Sequence, residues 1–234
     1  MLRGISIDWS LIGQDSYLRQ IDALRGLTGL DFVRPVTFFV GENGSGKSTL
    51  LEAIAVAAGF NPEGGTRNYN FSTRDTHSEL YRALRLSRGA RRQRAGYFLR
   101  AESFYNVATM EEEYARAGGE AQRFHLRSHG ESFIHLAQQY FKPDGLYLMD
   151  EPEAALSPQR QLTMLREIYD CAASGSQFLI VTHSPILLAL PDAQILSLDG
   201  DAVRPCDYED TDSYRITAMI VKQRERLIAQ LLSD

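Results

Sequence analysis

The chemistry of this chain starts at Gly41-Glu42-Asn43-Gly44-Ser45-Gly46-Lys47-Ser48-Thr49. The spacing G-x-x-x-x-G-K-[ST] is that of a phosphate cradle. Its glycines permit a tight turn and aim amide N–H groups inward, and a following helix adds unpaired N–H groups and the positive end of a dipole. Asn43, Gly44, Ser45 and Gly46 line the cradle on this reading. Lys47 reaches the β- and γ-phosphates of ATP, Ser48 holds Mg2+, and Thr49 adds a phosphate contact.

Two further points carry acid–base chemistry. Asp150-Glu151 closes the apolar run Leu146-Tyr147-Leu148-Met149. Alone, Asp-Glu-Pro is a strand-ending turn. With Lys47 upstream, Asp150 is read as a ligand of Mg2+ and Glu151 as the group that takes a proton from the attacking water. His183 follows the apolar run Phe178-Leu179-Ile180-Val181 and is placed to donate a hydrogen bond to a γ-phosphate oxygen. Ser128-His129-Gly130-Glu131 stands at an expected helix start, where the Ser128 hydroxyl and the Gly130 backbone form a second anion site.

These residues need elements to hold them. Val36-Thr37-Phe38-Phe39-Val40 reads as a buried strand ahead of the cradle, and Leu50 to Ala58 as a helix behind it. Residues 2–9 alternate loosely and predict an early strand. Residues 10–34 are read as a second strand or loop near the nucleotide base, with Tyr17 a packing residue or an adenine stacker. Ser78 reads as the N-cap of a helix with Leu80, Ala83, Leu84 and Ser87 on one face and Arg82, Arg85 and Arg88 on another. Residues 96–100, 146–149, 178–181 and 195–198 read as strands, with a helix over 159–173 carrying Leu162, Leu165, Ile168 and Tyr169 at helical spacing. Asp199-Gly200-Asp201 reads as a hairpin turn, and Asp212 as the cap of a helix over 213–232. Strands alternating with helices predict an α/β fold with a mostly parallel sheet flanked by helices. Ligands of such sheets sit at the strand C-termini, where Gly41, Asp150-Glu151 and His183 converge.

With 234 residues, 44% hydrophobic and 24% charged, the chain fits one globular domain. No apolar run is long enough to span a bilayer and no signal peptide opens the sequence, so the expectation is a cytoplasmic protein with no membrane span of its own. Net charge is −5, against indiscriminate nucleic-acid binding. The charge is uneven, however. Between 67 and 100, Arg67, Arg74, Arg82, Arg85, Arg88, Arg91, Arg92, Arg94 and Arg100 face only Asp75 and Glu79. That patch suits an anionic partner such as DNA.

The ordered set resembles the ATP-binding-cassette (ABC) ATPases: Walker A at 41–49, a signature-like Ser128-His129-Gly130-Glu131-Ser132, Walker B at Asp150-Glu151, a D-loop-like Ala154-Ala155-Leu156-Ser157 and a switch His183. End to end, the chain resembles the small stand-alone bacterial predicted ATPases related to RecF, SMC-like and overcoming-lysogenisation-defect ATPases. Leu99-Arg100-Ala101-Glu102-Ser103-Phe104 and Asp150-Glu151-Pro152-Glu153-Ala154-Ala155-Leu156-Ser157-Pro158 carry that likeness. The resemblance implies one P-loop domain over 1–234 with a helical subdomain at about 103–142. It implies a head-to-tail homodimer formed on ATP, in which Ser128 and Gly130 meet the γ-phosphate held by the partner's Lys47. It departs from the transporters in its signature, usually Leu-Ser-Gly-Gly-Gln, and in lacking an evident Q-loop glutamine. Glu102 is the nearest candidate there and a third possible Mg2+ contact. Only 26 positions separate Glu102 from Ser128, where an SMC-like protein would place long coiled-coil arms, so none is expected there, nor is a nuclease-like second domain. The expected function is an ATPase switch acting on nucleic acid or a partner protein, with a transporter's nucleotide-binding subunit as the alternative and a nucleotide-binding scaffold with little turnover as a third.

Overall fold

The computed structural model describes residues 1–66, 78–100 and 129–233, the side chains of 129–132 excepted. In chain order the elements are β1 (Leu2–Ile7), α1 (Asp22–Arg25), β2 (Gly29–Asp31), β3 (Val36–Val40), α2 (Lys47–Ala57), α3 (Leu80–Ala83), β4 (Leu84–Arg88) and β5 (Ala95–Arg100). They continue with α4 (His129–Tyr140), β6 (Gly145–Asp150), α5 (Pro158–Ala173), β7 (Gln177–Val181), α6 (Pro185–Leu188), β8 (Gln194–Ser197), β9 (Arg204–Pro205) and α7 (Asp212–Leu231).

The main sheet has the order β5-β6-β7-β3-β8-β9. Its first five strands are parallel, and only β9 runs antiparallel, through a turn where Gly200 takes φ +85°. Every residue of β3, β6 and β7 is buried, as both-face coverage demands. Alternate side chains feed two cores. Phe39, Leu148, Leu179 and Val181 pack with Leu50, Leu51 and Ile54 of α2. Phe38, Tyr147, Met149 and Ile180 pack on the other face with Phe133 and Leu136 of α4 and Met164 and Ile168 of α5. The expected α/β fold, a mostly parallel sheet flanked by helices, is the observed one.

A second sheet, β2-β1-β4, is antiparallel and packs beside α2. It corrects one expectation. The stretch after Ser78 is helical only over Leu80–Ala83, and 84–88 is a strand paired with β1 in the register Ile5↔Leu86 and Ile7↔Leu84. Leu84 fits a helical face with Leu80 and Ala83, and it fits a period of two with Leu86. The open edge of β1 supplies backbone partners, and that decides between them. Arg85 and Arg88 are therefore exposed strand residues.

Two smaller corrections concern helices. In α5 the inward residues are Met164, Ile168 and Cys171, with Leu165 partly buried, whereas Leu162 and Tyr169 stand exposed. The N-cap of α7 is Thr211, whose hydroxyl accepts from Tyr214 N, so Asp212 is its first residue. Of the expected helical subdomain at 103–142, α4 lies within the described residues. Among the described residues, no helix is long and apolar enough to cross a membrane.

Candidate active site

The loop between β3 and α2 is built on glycine. Gly44 and Gly46 have φ of +85° and +95°, in the left-handed region that costs side-chain-bearing residues strain. A Cβ on Gly46 would also lie 2.8 Å from Ile21 Cγ2 and 2.9 Å from Leu24 Cδ1, so the segment around α1 packs directly on the loop. From Gly46 the chain enters α2 with Lys47, Ser48 and Thr49 in its first turn.

Lys47 is 4% exposed. Its Nζ donates to Gly41 O and Glu42 O, each at 2.7 Å. Burial lowers its pKa from the ordinary lysine value, and the carboxylates of Glu151, Asp199 and Asp150 pull the other way. The ammonium thus sits among three acids drawn from two strand ends, Asp150 and Glu151 from β6 and Asp199 from just beyond β8. Ser48 Oγ donates to Asp150 Oδ1 at 2.9 Å, across 102 positions of sequence. A hydroxyl and a carboxylate so placed are hard oxygen donors of the kind Mg2+ takes in nucleotide sites, where phosphates and water complete the shell. Among the described residues no group of three or more His, Cys, Asp and Glu forms a self-sufficient metal cage.

Glu151 directly follows β6 with φ +50°, a left-handed conformation unusual for glutamate, and its N–H donates to Val181 O at 3.0 Å. It opens a short 3-10 turn over Pro152–Ala155. Glu153 in that turn accepts from His183 N at 2.5 Å. His183 Nε2 and Ser45 Oγ are buried and have no hydrogen-bond partner among the described residues. Such atoms are costly unless a ligand or water satisfies them. With the glycine cradle and the Ser48–Asp150 pair, they fit a bound nucleotide triphosphate and its magnesium.

Lys47, Ser48, Asp150, Glu151 and His183 therefore gather at one sheet edge, with Asn43 and Gly44 on the loop's outer surface. Gly130 lies in the first turn of α4. Ser128 and Glu102 lie outside the described residues.

Other residues of this edge escaped the sequence reading. Asp199, taken as part of a hairpin turn, accepts from Glu42 N at 2.8 Å and from Ser197 Oγ at 3.0 Å, and so props the loop. The sequence shows Asp199 only as a polar residue just past an apolar run; that β8 lies beside β3 is decided by the sheet order. Arg100, taken as a strand end, pairs with Glu52 of α2 at 2.8 Å and approaches Asp150 at 3.8 Å. Tyr17 is 53% exposed, which removes the packing reading. It lines a cavity of about 450 Å3 with Gln20, Asp22, Asn43, Gly44 and Asp199.

Two segments of the chain match family models of known proteins. Residues 16–128 match a family model described as AAA domain. Residues 132–189 match a second AAA-domain model, whose description also names the AbiEii toxin and type IV TA systems. The hemin import ATP-binding protein HmuV of Pseudomonas aeruginosa is 27% identical over 178 residues, 64% of this chain and 67% of that protein. The SMC head domain of Thermotoga maritima aligns with a TM-score of 0.49 and 16% identity over 88% of this chain and 99% of that one. An inward-facing metal-chelate type ABC transporter aligns with a TM-score of 0.45 and 18% identity, covering 78% and 76%. Taken in sequence order, the first matched segment carries the phosphate loop and the second the Asp150-Glu151 and His183 strand ends, so it is over these two segments that the chain matches AAA-type P-loop ATPase domains.

Proposed function

We propose that this protein is an ABC-type ATPase, one domain over 1–234, that hydrolyses ATP to ADP and phosphate and closes into a head-to-tail homodimer while ATP is bound. The observation that carries the proposal is the Ser48–Asp150 hydrogen bond with Lys47 and Glu151 beside it. Lys47 holds the β- and γ-phosphates, and amides of Asn43 to Thr49 cradle them. Ser48 and Asp150 hold Mg2+, with Glu102 a third candidate. Bound there, Mg2+ would neutralise charge on the phosphate oxygens. Glu151 takes the proton as water attacks the γ-phosphorus and the bond to ADP breaks. His183 Nε2 contacts the γ-phosphate oxygen, which gives its orphaned nitrogen a partner. Tyr17 stacks on the base. Ser128 and Gly130 of one protomer grip the γ-phosphate on the other, so hydrolysis removes the shared anion and the dimer opens.

The switch acts on nucleic acid or on a partner protein. The exposed Arg82 of α3, Arg85 and Arg88 of β4, and Arg91 and Arg92 in the turn after it form the surface for an anionic partner. DNA binding there weakens steeply with salt if phosphates are contacted. The likeness to a hemin import ATP-binding protein favours a second reading, the nucleotide-binding subunit of a transporter. Co-purification with an integral membrane protein supports that reading.

The deciding experiment is Glu151→Gln. It is expected to keep ATP binding, to lower turnover by about 100-fold or more, and to accumulate a dimer with Mg·ATP in light scattering. Unchanged turnover would refute the assignment of the base.

A further inference from the structure

We infer that Arg100 is a positioning residue for the magnesium-binding carboxylate, fixed in turn by Glu52, so that a Glu52–Arg100–Asp150 bridge sets the metal site from behind. The inference rests on the ATPase reading above.

β5 and β6 pair in parallel with Arg100 directly opposite Asp150, so both side chains leave the same end of the sheet. Arg100 Nη1 donates to Glu52 Oε2 at 2.8 Å and to Pro62 O at 3.1 Å. Its Nε lies 3.8 Å from Asp150 Oδ2, a charge contact longer than a hydrogen bond. The other Asp150 oxygen, Oδ1, accepts from Ser48. The two oxygens of one carboxylate thus face different partners, the cation on one side and the loop hydroxyl on the other.

Glu52 follows Ser48 by one helical turn on α2, so hydroxyl and carboxylate share a face of that helix. Its second oxygen accepts from Ser78 N at 3.2 Å, which holds the side chain at both ends. The three side chains are 14%, 20% and 11% exposed for Glu52, Arg100 and Asp150, so this is not a water-screened surface pair.

A guanidinium is planar and rigid. Once Glu52 and Pro62 O fix its Nη1 end, the direction of Nε is fixed too, and with it the rotation of the Asp150 carboxylate. That rotation leaves Oδ1 toward Ser48, the pair proposed to hold Mg2+. A lysine keeps the charge and cannot span both acids with one rigid group. Partners behind metal ligands commonly contribute 10- to 100-fold in affinity or activity.

The test is Mg2+ dependence in Arg100→Met, Arg100→Lys and Glu52→Gln. Two readouts are used: half-saturating Mg2+ for turnover, and Mn2+ affinity of the complex with a non-hydrolysable ATP analogue by electron paramagnetic resonance. Arg100→Met is expected to raise both constants by about tenfold or more, with the analogue's metal-free affinity unchanged. Arg100→Lys should show most of that loss, and Glu52→Gln a smaller shift in the same direction. Variants that lower only the melting temperature, with wild-type Mg2+ and Mn2+ constants, would overturn the inference and leave the ATPase reading standing. Failure of the wild-type protein to bind Mn2+ with the analogue would overturn both, and is seen before any variant is made.

Discussion

Lys47 carries a thermodynamic cost that its function explains. Its folded pKa is lowered by burial, against the pull of Glu151, Asp199 and Asp150. Between that lowered value and the ordinary lysine pKa, the unfolded chain binds the extra proton. Lys47 therefore makes the nucleotide-free protein more stable as pH rises through this window, and least stable below it, where the buried ammonium is charged. Lys47→Met should leave the melting temperature at neutral pH unchanged or higher and should flatten that alkaline rise. It should also abolish the thermal shift with Mg·ATP, which for a ligand at 100 times its Kd is about 2.7 kcal/mol. Scanning fluorimetry across pH, with and without nucleotide, checks all three. A retained Mg·ATP shift would remove Lys47 from the phosphate site.

The strands do at their ends what their interiors make possible. β6 reaches its terminal Asp150 because its middle is fully buried and locked in register between β5 and β7. Tyr147 is part of that lock. Its ring stacks on Phe178 with centroids 4.9 Å apart, and its hydroxyl accepts from Lys142 N at 2.6 Å and lies within hydrogen-bond reach of Tyr140 O and Lys142 O. Burial pushes the phenol far above its usual pKa, so it stays a neutral donor. Tyr147→Phe takes away the acceptor of Lys142 N, while Lys142 O keeps Ser176 Oγ at 2.8 Å, and should cost about 1–3 kcal/mol. Urea unfolding should show a lower midpoint at unchanged slope. Turnover per folded molecule should not change, because the hydroxyl faces the end of α4, not the site. An unchanged midpoint would show that water replaces the hydroxyl there.

At the scale of the whole molecule, α7 stands apart from the two cores. Among the described residues none in this helix is buried, and Ile216, Val221 and Leu231 are 57%, 77% and 66% exposed. The helix departs from helical geometry at Gln223. Burial of apolar area is what converts a helix into stability, at about 25 cal/mol per Å2. Ending the chain after Lys222 should therefore leave the urea midpoint of the remaining domain unchanged, while removing apolar surface should reduce self-association in nucleotide-free light scattering. A clear drop in the midpoint would mean that the helix packs in solution.

Contiguous chemistry was legible in the residues alone. Gly41 to Thr49 needs only local backbone freedom, a buried strand before it and a helix after it, all within a few turns of chain. The apolar runs that became β3, β6 and β7, and the polar residues ending them, were visible for the same reason. Residues 84–88 were not, because Leu84 shares a helical face with Leu80 and Ala83 and a period of two with Leu86, and only the free edge of β1 chooses between them. Nor were Asp199, Arg100 and Glu52 legible as site residues. Asp199 meets Glu42 across 157 positions and Arg100 meets Glu52 across 48, contacts that exist only once the strands take the order β5-β6-β7-β3-β8. Sequence set which groups end each strand. The sheet order decided which of those ends are neighbours, because pairing between distant strands is a property of the packed cores and not of any local run.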